Sequence, residues 1–345
     1  MIDSQSLEND NVPKKWLLAV YGLVGTMILL GGITRLTGSG LSMVDWKPVI
    51  GILPPLTSED WNKAFDLYKL YPQYQVQNPG MTLSGFKEIF FWEYIHRLCG
   101  RILGLVFIIP FIYLIYTNRL SDSLKRHCWA ILLLGCMQAF LGWFMVQSGL
   151  VDEPSVSHLR LTCHLSLAFI IAGYTWWLYL NLLHLPTGSS RPSLARASKL
   201  FLAILAVQIV YGALMAGLHA GYAYNTFPDY NGNPWPSPAP WNDVDVEQLF
   251  NNPVIVHFAH RTLGLLITGY ALSLGFRSIK GSSNRLQLKI SYLFLTIAMV
   301  QVSLGIATIV LHIPLALASL HQIGAFVLMS ITLAHTHIFA HTQSV

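Results

Sequence analysis

Eight runs of about 20 mostly apolar residues mark this sequence, and that is the length a helix needs to cross the hydrocarbon of a bilayer. They fall at about 16–36, 93–117, 127–149, 159–184, 199–218, 255–276, 289–311 and 316–339. Of the 345 residues, 53% are hydrophobic and only 11% are charged, with a mean hydropathy of +0.50. Soluble domains carry about a quarter charged residues. The expected fold is therefore an all-α polytopic membrane protein with eight transmembrane helices.

The basic residues set the expected orientation, because Lys and Arg gather in cytoplasmic loops. Lys14 and Lys15 precede the first run, and Arg119, Lys125 and Arg126 separate the second from the third. Arg191, Arg196 and Lys199 separate the fourth from the fifth, and Arg277, Lys280, Arg285 and Lys289 the sixth from the seventh. All fall on one side, which places both termini in the cytoplasm. The net charge of +5 is thus a sign of topology and not of nucleic-acid binding. The opposite loops are acidic or neutral: "VDEPSV" has no base, and the loop after the fifth run holds Asp229, Asp243, Asp245 and Glu247. The long outer loop at 37–92 is rich in aromatic and turn residues, which predicts folded structure lying on the membrane. The N-terminal "MIDSQSLENDNVPKKW" carries Asp3, Glu8 and Asp10, unlike an acid-poor mitochondrial transit peptide, so a bacterial inner membrane is expected. Cys99, Cys128, Cys136 and Cys163 form no CxxC pair and read as small packing residues.

The sequence repeats. Aligning His96 of "EYIHRLCGRILGL" with His260 of "HFAHRTLGLL" also aligns Arg97 with Arg261 and Gly100 with Gly264. "QAFLG" at Gln138 matches "QVSLG" at Gln301, and "LTCHLSLAF" at His164 matches "LASLHQIGAF" at His321. Helices one and five match least. Two four-helix halves follow, at 16–185 and 199–340, with a tail at 1–15 and a linker at 186–198. Each half places one histidine on its second helix and one on its fourth, all four within the first turns of a helix running inward from the outer face. Ionisable groups inside a membrane are costly and usually functional. Two histidines on facing helices can hold one haem by bis-imidazole ligation, so His96, His164, His260 and His321 predict two haem sites. Zinc would want three or four converging ligands, and each half offers a pair.

Arg97, Arg101 and Arg261 are placed to meet haem propionates; the plainer alternative is snorkelling at lipid headgroups. Glu93 stands three residues before His96, on the same helix face, and its counterpart in the second half is His257. The plain reading of Glu93 is an acid complementing a helix N-terminus. His158 and Arg160 are likewise matched by Leu315 and Leu317. Different surroundings around repeated ligands predict two jobs, acid–base chemistry at one haem and electron carriage at the other.

Four long motifs, "GGITRLTGSGLSMVDWKPVIGILPPL", "FKEIFFWEYIHRLCGR", "AGLHAGYAYNTFP" and "FAHRTLG", resemble the haem A synthase family, the COX15/CtaA proteins, and the likeness runs from about Trp16 to the eighth helix. The resemblance implies two pseudo-symmetric four-helix bundles. It implies oxidation of the C8 methyl of haem O to a formyl group through a hydroxymethyl stage, giving haem A for aa3-type terminal oxidases. It further implies that His96 and His164 bracket haem O or haem A, that His260 and His321 ligate a permanent haem b, and that Glu93 is the essential acid of an ExxH motif. Such an acid could take up protons or stabilise a cationic intermediate. Haem O synthase and oxidase assembly factors are the implied partners, together with an unknown electron acceptor. The outer loops lack the cysteine pairs of some members, as in the mitochondrial and proteobacterial type, so no thiol relay operates there. A di-haem b-type electron carrier is the competing reading. A transporter is disfavoured because the Pro110 kink has no matched proline in helix six. The loop "YNTFPDYNGNPWP" either caps the haem b site or lies on the lipid surface.

Overall fold

The computed structural model describes residues 10–44, 53–151, 154–183, 185, 188–237 and 244–340. Asp3 and Glu8 of the tail, the stretch 45–52 of the first outer loop, Asp152 and Glu153 of "VDEPSV", and Asp243 lie outside the described residues. Eight helices are long and apolar enough to cross a membrane: α1 Asn11–Leu36, α2 Leu83–Tyr116, α3 Asp122–Ser148, α4 His158–Leu182, α5 Pro192–Gly217, α6 Pro253–Gly281, α7 Arg285–Val310 and α8 Leu315–Ala340. Among the described residues there is no β-strand.

The helices begin earlier than the apolar runs, because hydropathy marks the hydrocarbon while capping marks the end of the hydrogen-bond ladder. Asp10 caps α1 through Val12 N, and Asn252 caps α6 through Val254 N and Ile255 N, followed by Pro253 at the first helical position. The largest difference is α2. Thr82 caps it at Gly85 N, ten residues before the expected start. Its 34 residues reach about 51 Å at 1.5 Å per residue, well beyond the ~30 Å hydrocarbon thickness. Glu93 and His96 therefore lie well inside α2 and not in its first turns. Pro110 sits inside α2 without ending it.

The extra length of α2 carries the first outer loop. An amphipathic helix, Ser58–Tyr68, is held at its start by a capping box between Thr57 and Asp60. Its Phe65 and Tyr68 pack with Phe86 and Phe90 of α2 in an aromatic cluster that also takes in Trp61 and Tyr74. Burial of these rings gives the loop its own small core.

Consecutive helices pair as hairpins, α1 with α2, α3 with α4, α5 with α6 and α7 with α8. Helices α1 and α4 also pack together, as do α5 and α8. Contact between the 16–185 and 199–340 segments runs through α8, which packs on α1 and α4, and through α4 against α5. Gln322 donates to the Ile28 carbonyl at 2.7 Å, Trp176 to the Ser330 carbonyl at 2.9 Å, and Tyr21 pairs with the Ser330 hydroxyl. At the far end, away from the termini, Arg35 of α1 donates to the α5 carbonyls of Ala216 and Gly217 at 2.9 and 3.1 Å. A cation there complements the carbonyl-rich C-terminal end of α5. Lipid is as apolar as leucine, so such contacts and close packing hold the bundle more than hydrophobic transfer does. Cys128 is buried as expected, but Cys136 and Cys163 lie on exposed helix faces, where lipid and not core surrounds them.

At the near end Arg119 grips Asp10 with two bonds of 2.6 and 2.7 Å. Burial alone would raise the Asp10 carboxyl, but the hydrogen bonds and charge of Arg119 outweigh it and hold the carboxyl below its ordinary value. A lowered folded pKa gives stability that is full above the unfolded carboxyl's value of about 3.9 and fades as pH falls through the folded one. Asp10→Ala is expected to cost about 1–2 kcal/mol at pH 7, measured by thermal unfolding in detergent, with the deficit shrinking toward pH 3.

Candidate functional site

The four histidines stand on the even helices, α2, α4, α6 and α8, each half-buried. In the second half the rings of His260 and His321 face one another with centroids 6.5 Å apart at 86°. Bonds from imidazole nitrogen to first-row metals are about 2 Å. Two such bonds on opposite sides of one ion, plus the reach from each nitrogen to its ring centre, come to roughly 6–6.5 Å. The spacing of the pair would suit one ion shared by two imidazoles. His321 Nδ1 faces the Gln301 carbonyl at 3.2 Å, which makes Nδ1 the protonated nitrogen and leaves Nε2 a free lone pair. In the first half His164 lies within electrostatic range of His96. Among the described residues, no three His, Cys, Asp or Glu side chains gather as a metal cluster.

Each ring stands against a glycine of its hairpin partner. A methyl group added to Gly142 would lie 3.1 Å from His164 Cε1, one on Gly212 3.2 Å from His260 Cε1, and one on Gly305 2.8 Å from His321 Cε1. At Gly31 the same methyl would lie 3.5 Å from His96 Nε2, an ordinary contact. One turn before three of these glycines a glutamine reaches across. Gln138 Nε2 donates to the His164 carbonyl at 3.1 Å, Gln208 Nε2 to the His260 carbonyl at 3.0 Å and Gln301 Nε2 to the His321 carbonyl at 2.9 Å. Gln138 and Gln301 fall inside the matched QAFLG and QVSLG, but their contact with the histidines was not foreseen. Gln208 was missed, although "QIVYG" in α5 repeats the same spacing.

Glu93 is 2% exposed and fully engaged. Its Oε2 accepts from Ser42 N at 2.7 Å, Ser42 Oγ at 2.6 Å and Met43 N at 2.9 Å. Its Oε1 accepts from Arg97 Nη2 at 2.6 Å. Three donors crowd Oε2 and one takes Oε1, so both oxygens of the carboxylate are held. Ten residues into its helix, Glu93 does not serve a helix N-terminus; it clasps the segment that follows α1. His257 does the equivalent in the second half. Its ring nitrogen Nδ1 donates to the Ala220 carbonyl, 2.8 Å away, in the segment that follows α5.

The arginines at the matched positions also hold loops. Arg97 donates to the Met43 carbonyl at 3.0 Å. Arg261 donates to the carbonyls of Pro228 and Asp229 at 3.1 and 2.9 Å, with its guanidinium 4.0 Å above the Tyr230 ring. Its Nη1 is buried without a hydrogen-bond partner. Arg101 lies one turn beyond Arg97 and is half-buried. Tyr224 and Tyr230 pack edge-on around His257, so this part of "YNTFPDYNGNPWP" folds over the end of α6. His158 and Arg160 do not join the histidine pair. His158 Nε2 bonds Asn251 Oδ1 at 2.7 Å, beside the start of α6, and Arg160 stacks on Phe144 and donates to its carbonyl.

The facing His260 and His321 rings and the buried, unpartnered Arg261 Nη1 would suit an anionic ligand that carries a metal, such as haem. The Glu93 clasp has a direct check. Replacing Glu93 with alanine removes the acceptor for two backbone N–H groups, so amide exchange at Ser42 and Met43 should speed up by at least about tenfold. Unchanged protection, read by mass spectrometry on peptides covering 42–44, would show that the clasp does not hold in the membrane.

The family model described as a cytochrome oxidase assembly protein, COX15-CtaA, matches residues 14–333. A protein of Flavobacterium psychrophilum named Heme A synthase is 40% identical over 343 residues, covering 94% of this chain and 97% of the relative. Proteins of the same name from Nitrosospira multiformis and Paramagnetospirillum magneticum are 41% and 42% identical over 330 and 335 residues. Each of these two alignments covers 93% of this chain and 92% of the relative.

Proposed function

As this chain belongs to the COX15-CtaA family of cytochrome oxidase assembly proteins, we propose that it is a haem A synthase, an oxidoreductase that converts the C8 methyl of haem O to the formyl of haem A. The product would serve aa3-type terminal oxidases. The naming of relatives at about 40% identity supports this over a plain electron carrier.

The observation that carries the reading is the pairing of histidines with unlike surroundings. His260 and His321, 6.5 Å apart, would hold a resident haem b; His96 and His164 would bracket haem O and then haem A. Bound haem supplies redox-active iron and takes up electrons. The protein's residues do the rest. Arg261, with Nη1 unpartnered, would meet a propionate of haem b, and Arg97 and Arg101, on the same stretch of α2 as His96, would serve the substrate haem.

Of the two roles open to Glu93, the geometry favours electrostatic stabilisation. Four donors already hold its oxygens, so what it offers is an oriented carboxylate one turn from His96 whose charge is shared with Arg97. Such a charge stabilises positive charge developing on the methyl carbon as it loses electrons. The basic near-end loops support placing both termini in the cytoplasm of a bacterial inner membrane, with the haem sites toward the outer face. Electrons leave to an acceptor, and haem O arrives from its own synthase.

Expression in a host that makes haem O but no haem A tests the reading. Haem A, or its hydroxymethyl precursor, is expected in extracts of those membranes. Haem O left untouched by the folded protein, with its electron acceptor present, would overturn it. Glu93→Gln is expected to keep its haem yet slow haem A formation by at least about 100-fold; a wild-type rate would remove Glu93 from the mechanism.

A further inference from the structure

The hairpins share a pattern finer than the twofold repeat. Each odd helix carries a long residue one turn before a glycine: Met27 and Gly31, Gln138 and Gly142, Gln208 and Gly212, Gln301 and Gly305. Each even helix carries a histidine with a small residue one turn later: His96 and Gly100, His164 and Ala168, His260 and Gly264, His321 and Ala325. Antiparallel helices bring these into reciprocal register. The glycine of the odd helix faces the histidine, and the small residue of the even helix faces the long one. A methyl on Gly264 would lie 3.2 Å from Gln208 Nε2, and one on Gly100 would lie 3.5 Å from Met27 Cε. In α8 the neighbouring Gly324 meets Gln301 in the same way.

Three of the four hairpins therefore lock the backbone at the histidine with an amide hydrogen bond. In two, the same amide also faces the ring, Gln138 to His164 Nε2 at 3.3 Å and Gln208 to His260 Nε2 at 3.4 Å. An amide N–H can only donate, so Nε2 is the acceptor in this arrangement, and its single lone pair is released for iron only when the amide turns wholly to the histidine carbonyl. The first hairpin differs twice. Methionine has no N–H to donate, and Gly31 stands off from His96 by the widest margin of the four.

We infer that Gln138, Gln208 and Gln301 are positioning residues for the haem-ligating histidines, and that the Met27 hairpin makes His96 the loosely held ligand through which the substrate haem enters and the product haem leaves. This rests on the proposed function, in which one haem stays and the other is exchanged. The second half, with a glutamine behind each histidine, holds the permanent haem. The first half, with one glutamine and one methionine, holds its haem firmly from α4 and loosely from α2.

The test is haem transfer from the purified protein to an excess of a haem-scavenging apoprotein, with low-spin electron paramagnetic resonance on the same samples. The wild type is expected to lose its first-half haem quickly and haem b slowly. Met27→Gln should slow the fast phase by about tenfold, a gain that a merely damaged protein would not show. Gln208→Met, which installs the residue the first hairpin already tolerates, should speed the slow phase by about tenfold and shift the low-spin g values of haem b. Two bis-imidazole haems in the wild type, with neither rate nor g value moved by either variant, would overturn the inference and leave the function standing. A wild-type protein without a bis-imidazole signal would overturn the haem reading itself, and this inference with it.

Discussion

An imidazole ring can stand between two closely packed helices only where the facing helix carries no side chain. That steric condition governs the core of this protein. Gly142, Gly212 and Gly305 each leave a space that even a methyl group would crowd, and the rings of His164, His260 and His321 occupy it. The even helices approach close enough for glutamine amides one turn away to cap the histidine carbonyls. In lipid, where apolar transfer gives helices little reason to associate, small residues and interhelical hydrogen bonds supply the attraction. In these three hairpins the features that hold the helices together are thus the ones that present the histidine.

A second layer of contacts closes the far end. Glu93 and Arg97 fasten the segment after α1, and His257 and Arg261 fasten the segments after α5. The two halves use the same positions for the same mechanical task but with different charge. In one, a carboxylate and a guanidinium neutralise each other beside the ring pair. In the other, an imidazole and a guanidinium lean on backbone carbonyls and tyrosine rings, with no carboxylate hydrogen-bonded to either. A buried ion pair is a weak stabiliser on balance, so the acid in the first half reads as a functional feature that the fold has made structurally safe.

Much of this was legible in the sequence. Apolar runs of spanning length gave the eight helices, because composition alone decides whether a segment can lie in lipid. The histidines stood out because ionisable groups are rare in such runs. Helix starts were less legible. Thr82 begins α2 far outside the apolar run, since a cap answers to hydrogen bonding and not to hydropathy. The partners of Glu93 were out of reach, because Ser42 and Met43 are about fifty residues away and contribute mainly backbone N–H groups, which leave no mark on side-chain identity. The likeness of α1 to α5 was obscured for a different reason. Met27 replaces glutamine in one of them, and the match rests on a spacing of two residues within otherwise unrelated apolar sequence.

The central claim is that the four histidines work as two pairs, one in each half. It is tested most directly by replacing each in turn with alanine, in a host that supplies only haem B, and recording the near-infrared bis-imidazole signal of the purified protein. His260→Ala and His321→Ala should each abolish the haem b signal, while His96→Ala and His164→Ala leave it intact. A signal that survives either of the first two changes, or that falls equally in all four, would contradict the pairing.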